Sequence, residues 1–251
     1  MAEDNENTNS QHEGIHGGVE ASALESAASY VAAGARAGSS GDAGGKGFIN
    51  AFSALMDWGI KNALIREESA FEFLKTKPDG HGREHEAWFD EPSNRWFKAT
   101  YPNSFGLPWG RTGSATADEY LVRLNLHNEF FGDDIRLVAL VNCGGKLRVL
   151  TTQPHAPGAH AAQDEINQWL AQRGFIRLVH ECGSAAWYNK VDDLMVADAH
   201  EGNLIRTDQG RLVPIDLNIV HPNGELRDWA LRSVLALDCI GPDSSSDQSL
   251  T

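Results

Sequence analysis

The stretch that most constrains the fold is "IRLVALVNCGGKLRVLTT", residues 135–152. Two runs dense in Val, Leu, Ile and Thr flank "NCGG", and such residues suit a pleated, buried surface, while paired glycines suit a tight two-residue turn. The chain is therefore expected to contain an antiparallel sheet. A second hairpin is expected where two aromatic runs flank "EPSN", residues 91–94, with Lys98 on its second strand. Helical spacing alternates with these strands. Phe48, Ile49, Phe52, Leu55, Met56, Ile60, Ala63 and Leu64 form one stripe, and "TADEYLVRLNLHNEFF" opens with Thr116 and Glu119 in capping-box spacing. "AAQDEINQWLAQRGF" closes on Gly174, and "ELRDWALRSVLALD" is the last helix. This order predicts an α+β chain with a sheet-rich first half.

Composition narrows the function. Thirty-five acidic against twenty-one basic residues leave a net charge of −14, which disfavours a nucleic-acid-binding surface or attraction to anionic membranes. No run approaches the ~18 apolar residues of a membrane span, and the acidic start "MAEDNENTNS" lacks the pattern of a secretory signal, so a cytoplasmic location is expected. Cys143, Cys182 and Cys239 are scattered without a CxxC pair, suggesting neither a disulfide framework nor a zinc knuckle. Residues 1–46 are rich in Glu, Asn, Ser, Ala and Gly and read as a disordered tail holding one weak Ala-rich helix. Residues 47–237 form the folded domain, and 238–251 a second tail.

The chemistry concentrates in "VADAHEGNLIRTDQGRLVPIDLNI", residues 196–219. Asn203 follows Asp198 by five residues and Asp216 follows thirteen later, with "TDQG" turning one strand onto the next. Transfer of a phosphoryl group needs a metal held against phosphates and an aligned hydroxyl, and Mg²⁺ takes oxygen ligands, commonly one or two protein carboxylates. Asn203 and Asp216, brought together by the hairpin, suit that metal. Asp198 then faces the acceptor hydroxyl as base or orienter.

This spacing, D-x-x-x-x-N followed by I-D after a hairpin, resembles the protein-kinase-like superfamily. "DAHEGN" is similar to the loop of aminoglycoside and choline phosphotransferases, with His200 in the loop. The combined run "EYLVRLNLHNEFFGDDIRL", "DAHEGNLIRT" and "VPIDLNI" is similar to the kinase domain found in polyvalent proteins of phages and conjugative elements. The resemblance covers roughly residues 70–235. It implies a minimal bilobal fold, with an antiparallel N-lobe over about 70–152, a hinge at about 152–158 and a reduced C-lobe over about 159–237. It also implies ATP and Mg²⁺ as cofactors, with transfer of the γ-phosphoryl group to a Ser, Thr or Tyr hydroxyl. Lys98 corresponds to the lysine on the α and β phosphates, and Glu119 to its acidic partner. The capping box with Thr116 also accounts for Glu119, and Glu129 competes for the same role. Gly80 and Gly82 of "GHGRE" stand for the glycine-rich loop. Thr152, Gln153 and His155 stand at the hinge, where backbone would meet adenine.

Several positions depart from the family pattern. The first turn is only G-x-G, "DLN" replaces D-F-G, Ala197 precedes Asp198 where an Arg is usual, and the 35 residues after Asp216 contain no A-P-E. These departures leave the acceptor, protein or small molecule, open. They also keep two other readings in view: a pseudokinase that binds nucleotide without turnover, and a small-molecule kinase or nucleotidyl transferase using the same pocket.

Overall fold

The computed structural model describes residues 17–38, 45–109, 113–179 and 185–239; Cys182, part of the first expected tail and most of the second lie outside them. The chain runs α1 (Gly17–Gly38), α2 (Gly45–Lys61), β1 (Ile65–Glu67), β2 (Gly80–His81), β3 (His85–Asp90), β4 (Arg95–Thr100), α3 (Ala117–Phe131), β5 (Arg136–Cys143) and β6 (Lys146–Pro154). It continues through β7 (Gly158–His160), α4 (Gln163–Gln172), β8 (Ile176–Val179), β9 (Ala185–Asn189), β10 (Leu194–Ala197), β11 (Leu204–Thr207), β12 (Leu212–Pro214), β13 (Asn218–Val220) and α5 (Gly224–Cys239). The α+β class expected from the sequence is what the chain adopts.

Strands β1 to β6 make one sheet in the order β1-β5-β6-β4-β3-β2. Its pivot is the β5–β6 hairpin. Gly144 and Gly145 both take positive φ, 61° and 85°, which a side chain would resist, and the Asn142 side-chain oxygen accepts the Gly145 N–H at 2.9 Å. The interior strand β6 is buried from Leu147 to Gln153 on both faces, which is why its sequence lacks alternation. One face packs against Leu74 through Trp88, Ala99, Val141 and Leu150; the other packs against the helices, Leu121 of α3 among them, through Leu137, Leu140 and Val149.

The N-terminal region differs from expectation. The helix read as weak and part of a tail is α1, and Leu24, Ala27, Ala28 and Val31 are buried against α2, α3 and β5. Their i, i+3, i+4, i+7 spacing is a narrow apolar stripe, and small residues let the helices approach closely, with Gly34 facing the Ala54 side chain. The following helix is shorter than its stripe suggested. It stops at Lys61, Ala63 turns left-handed at φ 53°, and Leu64 leads into β1, which adds a parallel edge beside β5.

Beyond β6 the strands form two smaller antiparallel sheets, β13-β10-β9-β8 and β12-β11-β7. The second half is thus richer in strand than the sequence suggested. Leu126 of α3 joins Ile166, Leu170, Trp187, Val196, Leu204 and Ile219 in a second core, so α3 packs into both halves. Helix α5 covers β8–β10 through Ala230 and Val234.

Candidate active site

In the loop after β10, Asp198 is held by residues of the same loop. Asp198 holds a left-handed backbone, φ 60°, which Asp tolerates better than most residues. Its carbonyl accepts the His200 N–H at 3.0 Å and the Asn203 amide at 2.9 Å, and the same amide reaches the Asp198 carboxylate at 3.0 Å. His200 braces the turn: its Nδ1 accepts the Gly202 N–H at 3.0 Å, and its Nε2 lies 3.4 Å from the Asp198 carboxylate. Asp198 and His200 face solvent.

The β11–β12 hairpin then brings Asp216 back to Asn203. Leu204 pairs with Pro214, and the Ile215 N–H donates to the Asn203 carbonyl at 2.8 Å. On the other flank Lys98 of β4 donates to the Ile215 carbonyl at 2.8 Å and to the Gln153 side chain at 2.8 Å. The sheet places this amine correctly because Lys98 lies opposite Thr151 of β6 and Ala87 of β3. Asp216 is reachable by solvent at the bottom of a crevice walled by Lys98, His85, Tyr120, Arg123 and His127. Desolvation by these walls raises its pKa, but the neighbouring charges, Lys98 foremost, hold it net below the ordinary carboxylate value, so it is ionised at neutral pH. The cavity beneath is only about 20 Å³, room for about one water. A triphosphate could therefore lie only at its mouth.

The acidic partner expected for Lys98 is placed elsewhere. Glu119 accepts the Thr116 N–H at 2.8 Å and so serves the helix start, and Glu129 is exposed. The α3 face turned to the crevice presents Tyr120, Arg123 and His127 instead. Arg123, 8% exposed, forms a bidentate pair with Glu84, 12% exposed, whose carboxylate also accepts the Leu107 N–H at 2.7 Å. Glu84 and His85 follow the glycine turn, in which Gly80 pairs with Ala87 and the Gly82 N–H donates to the His85 carbonyl at 2.9 Å. No neighbour lies within 4 Å of a side chain built at Gly82, so the surrounding protein does not itself demand glycine there.

The segment expected as a hinge, about residues 152–158, starts inside β6. β6 runs through Pro154, with Thr152 paired to Phe97 and Arg136, so His155–Pro157 make the connection to β7. The Thr152 hydroxyl accepts from Arg95, Gln153 turns inward to Lys98, the His155 ring accepts from Trp96 at 3.1 Å, and the His155 backbone N–H donates to the Asn94 carbonyl. Sequence reasoning passed over two contributors. His127 is buried beside Asp216, and His85 bonds the Tyr120 hydroxyl at 2.8 Å. Burial drives the His85 pKa down to about 4, so it is neutral at physiological pH. The available signal for His127 was its place one turn after Arg123 on the inward side of α3.

One ligand atom each from Glu84, His85 and Asp216 lies within 4.8 Å of the others. Glu84 and His85 are already committed to Arg123, Leu107 and Tyr120, which leaves the Asp216 carboxylate as the one of the three available to a hard divalent cation.

Residues 55–221, about two thirds of the chain, match the model of the serine/threonine/tyrosine kinase found in polyvalent proteins. The chain belongs to that family. The matched span holds Lys98, Asp198, Asn203 and Asp216, while α1 and α5 lie outside it. No curated protein and no solved structure gives a significant match. Among the described residues no helix is long and apolar enough to cross a membrane.

Proposed function

We propose that this kinase-family chain is an ATP- and Mg²⁺-dependent phosphotransferase of minimal bilobal architecture that moves the γ-phosphoryl group to a hydroxyl of a protein Ser, Thr or Tyr. The observation that carries the reading is the junction at Ile215. Its carbonyl holds Lys98 and its N–H holds Asn203, so strand β4 and both ends of the β11–β12 hairpin meet beside Asp216. Asp216 and Asn203 would hold Mg²⁺, which when bound neutralises charge on the phosphates and bridges them. Lys98 supplies a cation for the α and β phosphates. Asp198, exposed and locked to Asn203, accepts the acceptor hydroxyl's proton or orients that hydroxyl. In this reading the turn around Gly80 and Gly82 would cover the phosphates, and the connection at His155–Pro157 would offer backbone groups to an adenine.

One observation favours a second reading, a nucleotide-binding module without turnover: the Lys98 amine is already occupied by Ile215 and Gln153, not paired with a glutamate. Titration with Mg·ATP and a radiolabelled γ-phosphate transfer assay, using wild type and Asp216→Ala, separate the two. We expect transfer by wild type and loss of at least about 100-fold in the variant. Equal transfer by both proteins would sink the assignment, and tight ATP binding without transfer would select the second reading.

A further inference from the structure

Asp216 sits between two backbone groups that other elements hold. Upstream, the Ile215 carbonyl is held by Lys98. Downstream, the buried Leu217 N–H donates to His127 Nε2 at 3.2 Å. A backbone N–H can only donate, so Nε2 carries no proton and Nδ1 does, and Nδ1–H is donated to the Asp133 carboxylate. Asp133, 9% exposed, fixes this tautomer, and His127 itself is only 3% exposed. The Gln153 amide stands 3.5 Å from the same Asp133 oxygen, and its own oxygen accepts Lys98. A single chain of side chains, Lys98, Gln153, Asp133, His127, thus ties both flanks of Asp216 together. Glu119, by contrast, spends its carboxylate on the helix cap.

We propose that His127 is a positioning residue for Asp216, setting its carboxylate against the metal through the Leu217 amide, with Asp133 holding the imidazole tautomer. The proposal rests on the phosphotransferase reading and names the part of α3 that registers the helix against the site. The logic is that of histidines oriented by a carboxylate one shell out from a metal, where removing the support typically costs about 10- to 100-fold in metal affinity or activity.

The test is Mn²⁺ binding followed by electron paramagnetic resonance, with and without ATP, on wild type, His127→Leu, His127→Gln and Asp133→Asn. Thermal unfolding of each variant serves as the control for folding. His127→Leu fills the space but cannot accept from Leu217, and it should weaken Mn²⁺ binding about 10- to 100-fold. His127→Gln offers an oxygen to the same N–H and should recover most of that loss. Asp133→Asn still accepts from Nδ1 and should fall between them. If His127→Leu does not fold, the Gln and Asn variants carry the comparison. Unchanged Mn²⁺ affinity in the folded variants, alongside normal Mn·ATP binding by wild type, overturns the role of His127 and leaves the phosphotransferase reading standing. Failure of wild type to bind Mn·ATP overturns both.

Discussion

The two acidic residues of the site are held in opposite ways. Asp198 is fixed by its own loop, through bonds to residues two and five positions on. Asp216 is fixed through its neighbours Ile215 and Leu217, whose partners Lys98 and His127 lie 117 and 90 positions away from them. The first arrangement needs only a short turn and a suitable amide. The second requires that sheet, helix and hairpin all be in place, so it reports on the whole fold. Local bonds cost little ordering entropy to assemble, whereas distant ones form only after loop closure has been met by packing elsewhere. The difference teaches that the surroundings of Asp216 should be the sensitive part of this protein and the Asp198 loop the tolerant part.

The largest expected effect lies in the Glu84–Arg123 pair, which walls the Asp216 crevice. Arg123→Leu strands a buried carboxylate and should lower the unfolding free energy by about 3–5 kcal/mol in urea titrations. Glu84→Gln combined with Arg123→Leu should cost less than Arg123→Leu alone, because no unpaired charge is then buried. A single variant losing under about 1 kcal/mol would break the contrast between the two regions.

Next comes pH. The folded His85 pKa is depressed to about 4 from the ordinary 6.5, chiefly by burial. The folded state therefore binds its proton less readily than the unfolded chain. The resulting stability is complete above pH about 6.5 and is lost as pH falls towards 4, up to about 3 kcal/mol. Unfolding curves of wild type and His85→Phe across that window check this; a parallel fall in both would assign the loss to other groups.

The smallest effect is expected in the self-contained loop. Asn203→Ala removes both bonds to Asp198 at a partly exposed site, so stability should fall by about 1 kcal/mol or less while metal-dependent ATP binding weakens. A stability loss matching that of Arg123→Leu would erase the distinction.

Much of this contrast could be read before folding. The β5–β6 and β3–β4 hairpins follow from turn chemistry and β-rich runs, and the Asp198, Asn203, Asp216 spacing lies within one hairpin. Helix α3 and its cap were equally legible, since Thr116 and Glu119 stand three apart ahead of an apolar run. Local rules govern all of these. The packed state of α1 was not read, although the stripe Leu24, Ala27, Ala28, Val31 was present, because an Ala-rich stretch among Gly and Ser buries too little surface by itself to look stable.

By itself, then, the sequence determined the β3–β4, β5–β6 and β11–β12 hairpins, the start of α3 and the residues that carry charge, because each depends on neighbours a few positions apart. Only the tertiary structure decided which charges meet. Glu119 turned to its own helix end, Arg123 took Glu84, Gln153 took Lys98, and His127 reached the amide beside Asp216. Helix rotation and sheet register set those pairings, and a rotation of one residue along α3, about 100°, is enough to exchange one candidate partner for another.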